Sequence, residues 1–100
     1  MSDCCLTLLC TPVQEERLLD LLLMSAASEV FTSVPLAAHG VSSGPLSASE
    51  QVMGRARTTQ VQVLLAEHAK DALLAEIRKK LPGVNLRYWV TPILELGKIA

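Results

Sequence analysis

Residues 44–65, GPLSASEQVMGRARTTQVQVLL, carry the clearest chemical potential in the chain. Arg55 and Arg57 can each present a planar fork of N–H donors to a carboxylate or a phosphate. Gly54, with no side chain beside Arg55, lets backbone N–H groups approach the same anion. The plainer reading of both arginines is solvated charge at the start of a strand. At the other end of the polar stretch stands His39-Gly40. Imidazole is a common metal ligand, although a lone histidine also serves structural roles; His68, beside Glu67, reads as a surface or capping residue. The thiols of Cys4, Cys5 and Cys10 would suit zinc or monovalent copper. On a strand, however, Cys4 and Cys5 point to opposite faces and Cys10 shares only the face of Cys4, so one chain cannot gather all three. Their other role is that of small buried hydrophobes. No nucleophile stands in an evident pair with a base. Ser42, Ser43, Ser47 and Ser49 belong to turn chemistry, Glu50 can equally cap a turn or pair with Arg55, and no enzyme is expected.

Composition narrows the partners. One hundred residues form a single domain, residues 1–100, half of them hydrophobic, and an apolar domain of this size gains from self-association. Only Phe31, Tyr88 and Trp89 are aromatic, too few for a single-stranded nucleic-acid platform. Nine basic against ten acidic side chains argue against a general grip on DNA or on an anionic membrane. The basic run Arg78-Lys79-Lys80 reads as a solvated helix end. An odd number of cysteines fits a reducing compartment. The start, MSDCCLTLLC, lacks the features of a signal peptide and no run has membrane-spanning length. A cytoplasmic protein, complete as written and not inserted in a membrane, is expected.

Six elements must position these residues. Residues 3–11 form a short, nearly all-apolar run that reads as a strand covered on both faces. Thr11-Pro12-Val13-Gln14 is a helix start, with Thr11 and Gln14 able to cap each other reciprocally and Pro12 at the first position. Leu18, Leu19, Leu22, Leu23 and Ala26, broadened by Leu21, then form the stripe of a helix that ends near Ala27. Residues 29–39 read as a strand that Pro35 demotes to an edge or marks with a bulge. Residues 40–56, with three glycines and Pro45, form a long loop, and long loops inside small domains are usually functional or disordered. In a strand over 57–67, Val61, Val63 and Leu65 point one way and Gln60, Gln62 and Leu64 the other, and one face should meet the helices. A helix over 69–81 carries Asp71 in its first turn and Arg78-Lys79-Lys80 in its last, complementing the macrodipole before Pro82-Gly83 stops it. A last strand covers 84–91, with one ring of Tyr88-Trp89 inward and the other outward. The apolar residues 92–100 suggest a short extra strand or a hook that packs on another surface.

Strand, helix, strand, strand, helix, strand is the order of the α+β ferredoxin-like fold, βαββαβ, an antiparallel sheet with both helices on one face. Because the first strand is apolar on both sides, sheets of several copies are expected to pack together. A ferredoxin-like metallochaperone shares this order but needs a CxxC pair after the first strand; Cys10-Thr11-Pro12-Val13 supplies one thiol.

His39-Gly40, LSASEQVMGR over 46–55 and YWVTPILELGKI over 88–99 together resemble the PII-like signalling proteins. Within them the chain looks like a subgroup often encoded beside heavy-metal efflux pumps, domain of unknown function 3240. The resemblance spans nearly the whole chain, and the long loop corresponds to the family's T-loop, shortened here. It implies a homotrimer whose sheets line a central channel, with ligand sites in the clefts between subunits at the base of that loop. In the broader family the clefts take adenine nucleotides or related anions, and the loop signals to a membrane transporter or enzyme. Gly54 and Arg55 match the small-residue and arginine pair at the loop's return, and Arg57 lies nearby. Nucleotide-binding members carry a glycine-rich, lysine-bearing turn before the last strand. This chain has LPGVNLRYW instead, where Arg87 is the candidate replacement charge.

The resulting expectation is a PII-like trimer that holds a small anion or a metal ion between subunits and passes the signal to a partner, a metal-efflux system being the implied one. Ligand-dependent ordering of residues 41–57 would be the output. Gly54, Arg55, Arg57 and Arg87 are the expected ligand-binding residues and His39 the expected metal ligand; no cofactor is identified. The alternatives are a copper- or zinc-binding trimer of the same fold, acting in metal tolerance through His39 or the cysteines, and a structural oligomeric adaptor with no ligand.

Overall fold

The structure is a computed structural model that describes residues 2–40, 56–83 and 86–100. β1 (Asp3–Cys10) leads into α1 (Pro12–Met24), β2 (Val30–Ala38) and β3 (Ala56–Ala66), followed by a 3₁₀ turn (Glu67–Ala69), α2 (Lys70–Lys80) and β4 (Arg87–Ile93). All neighbouring strands are antiparallel, in the order β2-β3-β1-β4. This is the α+β ferredoxin-like arrangement that the element order implies. Pro35 and Pro92 fall on β2 and β4, the two edges, where a missing N–H breaks no ladder between strands.

Period-two alternation builds the core. Cys4, Leu6, Leu8 and Cys10 of β1 and Val61, Val63 and Leu65 of β3 are buried together with Leu18, Leu21 and Leu22 of α1 and Leu73, Leu74 and Ile77 of α2. Both helices therefore cover one face of the sheet. The reciprocal cap at α1 is formed: Gln14 N donates to Thr11 Oγ1 at 3.3 Å and Thr11 N donates to Gln14 Oε1 at 3.0 Å. At the far end the Arg17 guanidinium donates to the Lys80 carbonyl at 3.3 Å, tying α1 to the C-terminus of α2. Within α2, Lys80 pairs with Glu76 one turn earlier at 3.2 Å, the favourable acid-before-base order.

Several local expectations shift. α1 stops at Met24, before Ala27, because Ser25 adopts an extended conformation and Ser28 Oγ donates to the Leu22 carbonyl at 2.9 Å. Its buried stripe is Leu18, Leu21 and Leu22, with Leu19 half-buried, while Leu23 is 70% exposed and Ala26 exposed. The stripe is centred between Leu18 and Leu22, so Leu23, one residue further round the helix, swings out to solvent. β4 begins at Arg87 and continues through Pro92 to Ile93, later at both ends than residues 84–91. Beyond it, residues 95–100 have no regular secondary structure. Tyr88 and Trp89 do face opposite sides, but each is 42% exposed, since β4 is an edge strand.

The rotated stripe can be checked by urea denaturation. Leu22→Ala should cost about 2–5 kcal/mol by opening a cavity, whereas Leu23→Ala should change stability by no more than about 0.5 kcal/mol.

Candidate functional site

The face of the sheet away from the helices carries a hollow of about 370 Å³. Register explains what lines it. Leu9 of β1 pairs with Gln60 of β3 on one side and with Arg87 of β4 on the other, so the three side chains stand in one row. Trp89, two residues along β4, adds its ring on the same face, and Leu36 and His39 close the side next to β2. Gly40, also in the wall, has φ of +76°. That left-handed conformation favours glycine, and it turns the chain out of β2 at the edge of the hollow.

Arg87 and His39, assigned from the sequence to different ligands, thus share one site. A guanidinium with five donors, an imidazole and a carboxamide beside an indole ring suit a small anion that also presents a flat or apolar part. Gln60 and Trp89 also line this site, although sequence reasoning assigned neither of them to it. Only the pairing of β1 with both β3 and β4 puts them in the row of Arg87. Arg57 is exposed near the start of β3 and pairs with Ala37, on the side of the sheet that carries the helices, so it does not line the hollow. Gly54, Arg55 and the loop expected to respond to ligand, apart from its last two residues, Ala56 and Arg57, lie outside the described residues.

Elsewhere, the Lys70 ammonium and the Asp71 carboxylate, 3.0 Å apart, flank an open polar hollow with Ser2, Glu67 and His68. Among the described residues no three histidine, cysteine or acidic side chains cluster as metal ligands, and no helix is long and apolar enough to cross a membrane. Cys4 and Cys10 are buried on the helix-bearing face and Cys5 is half-buried on the other, as the alternation of β1 requires. Cys10 donates its thiol proton to the Thr59 carbonyl at 3.6 Å. Burial, with a smaller contribution from Glu15, pushes the Cys10 thiol up to about 11, and burial also raises Cys4.

Element order, sheet order and a one-sided helical layer place the molecule in the ferredoxin-type α+β class to which PII-like proteins belong. The family described as a protein of unknown function, DUF3240, matches residues 1–100, and the chain belongs to that family. Among solved structures it is similar to a DUF3240 family protein from Shewanella baltica OS155, with 15% identity over 100% of this chain and 99% of that chain and a TM-score of 0.82. It is also similar to CPII, a nitrogen regulatory PII-like protein from Thiomonas intermedia K12 bound to ADP, AMP and bicarbonate, with 17% identity, 100% and 98% coverage and a TM-score of 0.69. CutA from Synechococcus elongatus PCC7942 aligns with 13% identity, 92% and 77% coverage and a TM-score of 0.70. At such identities the likeness is one of fold. No curated protein matches the sequence.

The Cys10 environment has a measurable consequence. A folded-state pKa raised from 9.0 to about 11 contributes stability that is complete below pH 9 and lost as pH climbs through 11. Cys10→Ser should flatten that alkaline decline in a pH series of urea melts, and Cys10 should resist iodoacetamide at pH 8 until the protein is unfolded.

Proposed function

We propose that this protein is a PII-like regulator that assembles as a homotrimer and binds a small anionic ligand in the hollow of Arg87 and His39, completed by a neighbouring subunit. The observation that carries this reading is that Arg87 and His39, far apart in sequence, line one hollow, with His39 in the wall beside the point where the chain leaves β2. Residues 41–55 begin at that wall and would bring Gly54 and Arg55 to the anion, with Arg57 following at the start of β3. Occupancy then acts on the root of the segment that a partner reads. The bound ADP, AMP and bicarbonate of CPII, a protein of the same fold, support an anion as the ligand class. A heavy-metal efflux transporter is the partner implied by the family resemblance, and a reducing, cytoplasmic setting agrees with the three free thiols.

Association is supported by the uncovered second face of the sheet, where Val30 is 55% and Val34 48% exposed beside the half-buried Leu9, Leu36 and Leu64. Sedimentation should give three times the chain mass of 10.8 kDa at micromolar concentration. A stable single chain would remove the intersubunit site.

Thermal-shift measurements against ADP, AMP, bicarbonate and phosphate, and separately against zinc and monovalent copper, decide the ligand class. An anion at about one hundred times its Kd stabilises by ~2.7 kcal/mol, and Arg87→Ala should remove most of that gain because a charge-assisted hydrogen bond contributes about 1.5–3 kcal/mol. An anion shift that survives Arg87→Ala overturns the assignment. A shift seen with metals alone and lost in His39→Ala would establish the metal-tolerance reading, and no shift in either series would leave the adaptor.

A further inference from the structure

The helices do not extend over β4. Tyr88 and Val90 stand on the helix-bearing side, opposite Leu8 and Leu6, yet they remain 42% and 37% exposed while their partners are buried. Between α2 and this edge runs an apolar groove of about 260 Å³ walled by Leu8, Leu74, Ile77, Leu81, Leu86 and Tyr88, with Arg78 among the residues that line it. A cavity of ~150 Å³ already admits a benzene-sized apolar guest, so this groove has room for an aliphatic side chain with its backbone. Arg78 is exposed and, among the described residues, shows no ion pair.

The same chain carries an apolar segment that is largely exposed, with Leu96 half-buried. After Ile93 the residues Leu94-Glu95-Leu96-Gly97-Lys98-Ile99-Ala100 run on without regular structure, and Leu94 and Ile99 are fully exposed. None of them lines the groove. They leave β4 at the end remote from Tyr88. Glu95, also exposed and without an ion pair among the described residues, sits between two leucines. An acidic group flanked by aliphatic side chains complements an aliphatic groove bordered by a guanidinium.

We infer that the groove between α2 and β4 is the docking site for residues 94–100 of a second copy of this chain, with Leu94 or Leu96 seated against Leu74, Ile77 and Tyr88 and Glu95 paired with Arg78. Arm and groove are different surfaces, so the contact is head-to-tail, the kind that closes into a ring where its rotation permits. It gives the trimer a latch on the helix-bearing side, apart from the open sheet face. The inference rests on self-association but not on the ligand.

Two measurements on the full-length protein test it. Benzoylphenylalanine replaces the exposed Ile99 in oligomers assembled from equal amounts of ¹⁵N-labelled and unlabelled chains, which are then irradiated and mapped by mass spectrometry. Crosslinks joining a tail of one isotope to residues 74–88 of the other are expected. Crosslinks confined to one isotope, or directed to the open face around Leu9 and Gln60, overturn the inference. In the second measurement, Glu95→Arg and Arg78→Glu should each weaken association about tenfold, and the two together should recover most of the loss, as a direct charge pair requires. Single variants that associate normally, or a double variant as weak as the sum of both, also overturn it. Both readouts are recorded without added anion, which separates this result from the fate of the anion site.

Discussion

The register of β1 between β3 and β4 is the constraint on which the rest depends. Leu6 pairs with Val63 and Val90, and Leu9 with Gln60 and Arg87. The first row belongs to the layer beneath the helices and the second to the candidate site. Because strand side chains alternate strictly, a slip of one residue would send the aliphatic row to the open face and the polar row into the core. Burial of Leu6, Leu8, Val61 and Val63 against both helices therefore fixes the position of Arg87 as firmly as any contact made by Arg87 itself. Fold and site are two consequences of one pairing.

The open face is unusual in being neither polar nor covered. Thr7, at its centre, is almost completely buried and accepts a hydrogen bond from the Gln62 carboxamide at 3.4 Å. Around it lie Cys5, Leu9 and Leu64, half-buried, and Val30, Val34 and Trp89, more exposed. A domain of one hundred residues with helices on one side of its sheet alone leaves this surface open, and an aliphatic rather than charged face suits contact with other copies. At the hollow the Arg87 guanidinium and the His39 imidazole interrupt this surface, His39 beside the departure of the chain at Gly40. In a protein of nearly zero net charge, a local concentration of donors is more informative than the overall balance.

The thiols illustrate how a residue type can mislead when taken alone. Three cysteines within one strand suggest soft-metal chemistry, but alternation separates Cys5 from Cys4 and Cys10. Burial then keeps Cys10 protonated far into the alkaline range, where a nucleophile or ligand would need the opposite shift. These two are packing groups of the helix-bearing face. The metal question consequently passes to His39, whose surroundings on the open face include a guanidinium and a ring but, among the described residues, no cluster of further ligands.

By itself the sequence determined whatever follows from periodicity and local chemistry. The alternation in β1 and β3, the helix start at Thr11-Pro12, the stop after Leu81 and the edge placement of Pro35 are all readable because each depends on neighbours within a few residues. The order of the elements then selects the ferredoxin-like fold. Tertiary structure decided what depends on partners distant along the chain: which leucines of α1 turn inward, that β4 runs through Pro92 to Ile93, and that Trp89 and Gln60 stand with Arg87 while Arg57 faces the other side. The physical reason is that a side chain's face is set by its own strand, whereas its company is set by the strands paired beside it, and that pairing is written in no single segment.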